Sequence, residues 1–333
     1  MSIPGGACLA GDVGATKTNL ALFTEESGVR EPLYERTLPS GNFETLEDLV
    51  KEFLGGTDVR PRRAAFGVAG PVVEGQAYIT NLPWRMSEAR LAEQLELDQV
   101  ALVNDLVAIA KSVPVLGGDD LRTLNAGEPV ETGPIAVVAP GTGLGEAYLV
   151  WHRDGYHAYP SEGGHADFAP LDAEQMELLA YMQPKVGHVS YEYVCSGTGM
   201  AYLFRFLRDT GRVQAPPEVD RAVSEADQPT RAIFERAFET EKPAEICVET
   251  VRLFARILAA EAGNMALKVL SLGGVYLGGG LPPRMLPVLQ EPFFMERFRE
   301  KGRFERIVSK FPVHVMMNSK AALYGAAEVC KSG

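Results

Sequence analysis

The chain has 333 residues, 46% of them hydrophobic and 23% charged, which is the profile of an ordinary globular protein with room for two domains. Asp and Glu number 44 against 32 Lys and Arg, a formal charge of −12, so there is no basic surplus to release counterions from a nucleic acid. Small anionic ligands stay open, because backbone dipoles can hold them. No apolar run reaches the roughly 18 residues of a membrane span, and Met1 to Gly11 has no basic residue ahead of its apolar patch, so neither a membrane anchor nor a secretory leader is expected. Cys8, Cys195, Cys247 and Cys330 are scattered, without a C-x-x-C spacing. They read as reduced thiols in a cytoplasm, with no disulfide framework and no zinc site.

In chain order, Ala7 to Ala10 is a strand, Gly11 to Thr18 a turn, and Asn19 to Phe23 a returning strand. A turn of glycines, hydroxyls and Lys17 groups several backbone N–H donors in a concavity suited to phosphate oxygens. Asp12 at its base could hold Mg²⁺, directly or through water. The alternative is an ordinary hairpin. It is not a Walker A loop, since Thr16 precedes Lys17 where that motif has Gly. Thr45 to Leu54 is a helix with Leu46, Leu49, Val50 and Phe53 on one face. Ala64 to Ala69 is a buried strand, Val72 to Thr80 a strand pair or loop, and Asn81 to Trp84 a polar-aromatic loop. Ser87, Arg90 and Leu91 open a further helix.

Val100 to Val103 then reads as a buried strand that ends in Asn104-Asp105 and turns directly into the apolar stretch 106–110. Carboxylates rarely stand in such a run unless paired, hydrogen-bonded or functional. A strand's carboxyl end is where α/β proteins bind ligands. The bland reading is that Asp105 caps the helix that follows.

The segment 113–134, rich in Gly, Pro and Asp, marks a domain boundary near its start. Ile135 to Ala139, Pro140-Gly141-Thr142-Gly143-Leu144-Gly145 and Ala147 to Trp151 repeat the strand, glycine turn and strand of residues 7–23. The repetition points to an internally duplicated α/β architecture with two turns able to hold a nucleotide's phosphates. Ser161 to Phe168 carries Glu162, His165 and Asp167 around two glycines. It reads either as a polar surface loop or as a sugar-binding loop, since carboxylates accept and imidazole donates or accepts hydroxyl hydrogen bonds. A metal site lacks ligands at fitting spacing, and a serine hydrolase lacks its nucleophile elbow. Glu192 stands between Tyr191 and Tyr193 ahead of a Ser/Gly turn, where a surface charge at a helix start is the alternative. Met176 to Tyr181 is helical, residues 211–245 form exterior helices and loops, and Val248 to Leu270 is a core helix. Gly274 to Leu277 is a strand that runs into Gly278-Gly279-Gly280, glycines that let backbone approach a ligand. Phe311 to Val315 is a late strand and Ser319 to Val329 a closing helix. His152, His157, His188 and His314 show no partner pattern.

Taken together, these stretches resemble the bacterial glucokinase family of the sugar kinase/Hsp70/actin superfamily. The motifs are Gly11-Asp12-Val13-Gly14-Ala15-Thr16, Leu102-Val103-Asn104-Asp105, Gly141-Thr142-Gly143-Leu144-Gly145, Ser161-Glu162-Gly163-Gly164-His165 and Leu277-Gly278-Gly279-Gly280. The resemblance implies a two-domain, actin-like (ribonuclease H-like) α/β fold with an interdomain cleft. Its small domain would be 1–112, completed by the C-terminal helix 318–333, and its large domain 113–317. It implies an ATP- and Mg²⁺-dependent kinase of D-glucose, cytoplasmic and homodimeric, with no nucleic-acid or membrane partner. Asn104, Asp105, Glu162, His165 and Glu192 would bind the sugar, with Asp105 the general base. Asp12 would serve the metal. Gly11 to Thr16 and Gly141 to Gly143 would hold phosphates, and Gly278 to Gly280 the adenosine. The chain departs from the family pattern in Ala15 and Lys17, where Gly and Asn are usual, and in Glu146, where a small or apolar residue is usual. The cysteine-rich zinc motif of the repressor branch is absent. A non-catalytic sugar sensor of the same fold, or a kinase for another hexose or donor such as polyphosphate, are the competing readings.

Overall fold

The computed structural model describes residues 6–24, 28–79 and 82–332. The readings of Met1 to Gly5, Thr80 and Asn81 lie outside the described residues. In chain order the elements are β1 (Ala7–Val13), β2 (Lys17–Thr24), β3 (Tyr34–Pro39), α1 (Leu46–Gly55), β4 (Pro61–Val68), β5 (Val72–Val73), β6 (Gln76–Tyr78), β7 (Arg85–Ser87), α2 (Glu88–Leu95), β8 (Gln99–Asn104), α3 (Asp105–Ser112), β9 (Leu121–Asn125), β10 (Ile135–Pro140), β11 (Leu144–His152) and β12 (Gly155–Ser161). They continue with α4 (Ala173–Val186), α5 (Tyr191–Val194), α6 (Gly197–Asp209), α7 (Pro217–Ser224), α8 (Pro229–Ala237), α9 (Glu245–Val269), β13 (Gly274–Leu277), α10 (Leu286–Leu289), α11 (Pro292–Arg299), α12 (Glu305–Val308), β14 (Val313–Met316) and α13 (Ala321–Ser332).

Contacts divide the chain into two units. One holds the segment up to Asp120, Leu149–Pro160 and the segment from Asn318. The other holds Leu121–Tyr148 and Ser161–Met317. The first is built on a five-stranded sheet of order β3-β2-β1-β4-β8. β1, β4 and β8 are parallel, and β2 and β3 add antiparallel. β1 and β4 are apolar along most of their length because both faces of the sheet are covered. On one side the Thr45 hydroxyl accepts from Asp48 N–H and caps α1. Leu46, Leu49, Val50 and Phe53, the face read from the spacing, are fully buried there. Elsewhere in the unit, α13 packs against α3, β1 and β4.

A second sheet has the order β12-β11-β10-β13-β14-β9. β10, β13 and β14 are parallel, and β9 closes the edge antiparallel to β14. The core of the second unit is α9, a 25-residue helix with Leu253, Ile257, Leu258 and Met265 buried. It packs against α6, α8 and α11. Both sheets run hairpin partner, first strand, then parallel strands, as the duplicated glycine turns imply.

Several elements differ from expectation. β1 and β2 stay paired through Asp12↔Asn19 and Val13↔Thr18, so the turn shrinks to 14–16. Pairing continues through polar residues that an apolar run cannot mark. β3, β9 and β12 are edge strands of mixed polarity and escape periodicity for the same reason. The cysteine reading is corrected: Cys8 of β1 and Cys330 of α13 form a disulfide across 322 residues, with Cα atoms 6.2 Å apart. Only the docking of α13 on β1 brings them together. Cys195 and Cys247 are free and buried. Among the described residues no helix is long and apolar enough to cross a membrane.

Candidate active site

In the first unit, β1, β4 and β8 end side by side. Asp12 pairs in register with Gly67, and Val68 with Asn104. Asp12 and Asn104 thus stand at the carboxyl ends of parallel strands, the usual ligand-binding edge of such a sheet. The cap of α3 is Asn104: its Oδ1 accepts from Leu106 N–H at 2.9 Å, and its Nδ2 donates to Gly70 O at 3.1 Å. Asp105 opens the helix and also accepts from Leu106 N–H at 2.9 Å. Burial is the largest influence on the Asp105 carboxyl and, against the Leu106 hydrogen bond and together with the charge of Asp12, it pushes the group up to about 6. Burial also raises Asp12, while a 3.0 Å hydrogen bond from Asn19 and the charge of Lys17 pull it down.

Gly11 and Val13 lie within β1, and Gly14, Ala15 and Thr16 form the turn. Gly14 N–H donates to Lys17 O at 3.1 Å. The turn is pinned by Ser40, whose hydroxyl donates to Gly14 O at 2.7 Å and meets the Thr18 hydroxyl at 2.9 Å, while Ser40 N–H donates to Thr16 O at 3.1 Å. No motif marks Ser40; tertiary packing alone delivers it.

In the second unit, the backbone of Leu144 is a meeting point. Glu192 of α5 accepts from Leu144 N–H at 2.9 Å. A side chain on Gly143 would collide with that same carboxylate, and one on Gly164 would collide with Leu144 O. Glu192 is therefore more than a surface charge at a helix start. Gly163 to His165 make a tight 3₁₀ turn, and Ala166 O accepts from Tyr191 N–H at 3.0 Å. Glu162, His165 and Glu192 are so gathered on paired segments. Glu162 and His165 project outward, 91% and 63% exposed, with Nε2 and Oε2 4.0 Å apart. Outside this group, His188 pairs with Asp167 at 2.7 Å.

The second turn faces a cavity of about 740 Å³. Gly141, Thr142 and Gly280 line it, together with Thr198, Tyr202 and Arg205 of α6, Thr230 and Arg231 of α8, and Arg284. Gly141 O accepts from Gly197 N–H at 2.8 Å, which sets the start of α6 against the turn. The N-terminal end of a 13-residue helix beside glycine backbone favours phosphate. Gly278 N–H donates to Val138 O at 2.9 Å. Gly279 has φ +80°, and a Cβ there would lie 2.5 Å from Pro140 O, so only glycine allows β13 and β10 to end this close together. The side chains of the cavity were not legible, because its walls come from separate stretches and residues 211–245 show no motif.

Glu146, where the chain departs from the family pattern, is set away from solvent. Its side chain is buried, 1% exposed, against Gly163 and facing Glu261. A metal site of three or more His, Cys, Asp or Glu is absent among the described residues. The donor set present, one part-buried carboxylate at Asp12, fits Mg²⁺, which keeps waters and takes phosphate oxygens.

Comparison with known proteins gives a consistent result. The glucokinase family model matches residues 9–332. A glucokinase of Trichormus variabilis is 37% identical over 96% of this chain and 97% of its own. The crystal structure of a glucokinase from an Antarctic psychrotroph superposes with a TM-score of 0.87 at 31% identity, covering 98% of this chain and 99% of that one. A glucokinase from Balamuthia mandrillaris in complex with glucose shares the fold, with a TM-score of 0.79 at 21% identity over 98% and 94%.

Proposed function

The chain belongs to the glucokinase family and is a hexose kinase, and on that premise we propose that it transfers the terminal phosphoryl group of ATP to the 6-hydroxyl of D-glucose, releasing glucose 6-phosphate and ADP. Asp105 is the general base: its carboxylate takes the hydroxyl proton as the bond to phosphorus forms, and ADP leaves with the electrons of the broken bond. Asn104, Asp105, Glu162, His165 and Glu192 accept from and donate to the sugar hydroxyls. The glycine turns 11–16 and 141–143 hold phosphates, and Gly278 to Gly280 the adenosine side. Asp12 would hold Mg²⁺, which neutralises phosphate charge when bound. The observation that carries the reading is the pair at 104–105, whose side chains share the Leu106 N–H. Asn104 caps α3, and Asp105 is left with a carboxyl near 6, deprotonated at neutral pH yet basic enough to accept a proton.

On this reading the reaction is the entry step of glycolysis, and ATP as donor supports a cytoplasmic enzyme; the cysteines, two of them bonded, no longer carry that inference. A homodimer is the assembly expected of the family. A coupled assay over a panel of hexoses with ATP and polyphosphate tests the proposal. Transfer from ATP to glucose is expected to dominate. No transfer to any sugar would make this a sensor, and transfer from polyphosphate alone would reassign the donor.

A further inference from the structure

Beneath the Gly163 turn lies an acid that the proposed mechanism does not use. Glu146 of β11 is buried, and neither of its carboxylate oxygens has a hydrogen-bond partner of regular geometry. A Cβ on Gly163 would overlap its Oε2, so the carboxyl packs directly under the turn that carries Glu162 and His165. On its other side it faces Glu261 of α9, which is fully buried. Glu261 accepts from Asn264 Nδ2 at 2.9 Å and Lys268 Nζ at 3.1 Å. Asn264 also donates to the Tyr191 hydroxyl at 3.0 Å and accepts from Lys301 Nζ at 2.8 Å. Tyr191 adjoins Glu192, so one buried network reaches both sugar-binding segments of this unit.

The groups that bear on Glu146 are Glu261 and Lys268 of α9 and the Cys195 thiol. Around Glu261 stand Tyr191 of α5, Cys195 and Lys301. Two carboxylates in one dry site cannot both ionise at ordinary cost, so one keeps a proton. Burial first, and then the charge of Glu261, raise the Glu146 carboxyl to about 8. Burial and the two acids likewise hold the Cys195 thiol protonated. A neutral carboxylic acid has an O–H to give to Glu261, and a carboxylate has none.

We propose that Glu146 is a positioning residue for the acceptor sugar: as a neutral acid it ties the Gly163 turn to Glu261, and when it ionises the turn loosens and sugar affinity falls. The inference rests on the assignment of Glu162, His165 and Glu192 to the sugar. The test is the KM for glucose from pH 6.5 to 9.5 in the unaltered enzyme and in Glu146→Gln, Glu261→Gln and Glu162→Gln. In the unaltered enzyme glucose KM rises about tenfold between pH 8 and 9.5, since each pH unit past a linked titration is worth up to about tenfold, while KM for ATP stays level. In Glu146→Gln, which keeps a donor but does not titrate, the alkaline rise disappears. In Glu261→Gln, with the facing charge removed, the rise moves to lower pH, so the inference stays testable should the first variant not fold. An unchanged rise in Glu146→Gln, or a level glucose KM in the unaltered enzyme, overturns the proposal. Glu162→Gln raises glucose KM at every pH; should it not, the sugar assignment fails, whatever Glu146 does.

Discussion

Asp105 in the first unit and Glu146 in the second each stand beside a proposed share of the chemistry, and the two are tuned to opposite ends. Asp105 and Glu146 are both raised mainly by burial, one to about 6 and the other to about 8. Asp105 sits at the first position of a helix and accepts a backbone N–H, and both features favour its charge. Glu146 sits in a strand, finds no regular donor and faces another acid. Desolvation alone therefore does not assign a role; the hydrogen bonds beside it do. The proposed base must lose its proton and the positioning acid must keep one, so activity should be highest between about pH 6 and about pH 8.

The sharpest way to break this comparison is Asp105→Ala. Turnover should fall by about 10²–10⁴-fold, with glucose still bound measurably by calorimetry; near-normal turnover would remove Asp105 from the role. In the unaltered enzyme kcat should drop as pH falls through about 6, because protonation removes the base. Next in size is the disulfide of the first unit, which has no counterpart in the second among the described residues. Cys8→Ser should cost about 2–4 kcal/mol in denaturant unfolding, and a reductant should erase the difference. Gly143→Ala would push on the Glu192 carboxylate of the second unit. Displacing one charge-assisted hydrogen bond is worth about 1.5–3 kcal/mol, so glucose KM should rise about tenfold or more. The smallest effect is expected from Ser40→Ala, which strips the first turn of its pin to Gly14; about 1 kcal/mol of stability should go, with a modest rise in ATP KM. Linkage gives a final check. The Glu146 carboxyl is higher in the folded chain than the ordinary 4.5, so the folded state binds the extra proton. Its stabilising contribution is present below 4.5 and lost as pH rises to about 8. Thermal midpoints should fall over that window more in the unaltered enzyme than in Glu146→Gln.

Much of this was legible because local chemistry repeats in predictable ways. The strand-to-helix step at Asn104-Asp105, the helical face of α1, the core helix α9 and the two glycine turns are all set by neighbours within a few residues. What escaped was assembled from distant parts. Cys8 and Cys330 meet because α13 docks on β1. Glu192 reaches Leu144 across 48 residues, and the cavity draws its walls from α6, α8 and the segment after β13.

By itself, then, the order of residues determined which backbone segments become strands, helices and phosphate-friendly turns, since periodicity and turn chemistry act over short range. It also carried the family resemblance that the comparisons bear out. Only the tertiary structure decided which acids share a dry site, which cysteines meet and which carboxyls burial raises. Those depend on burial and on partners brought together by packing, and neither is a property of any residue's place in the chain.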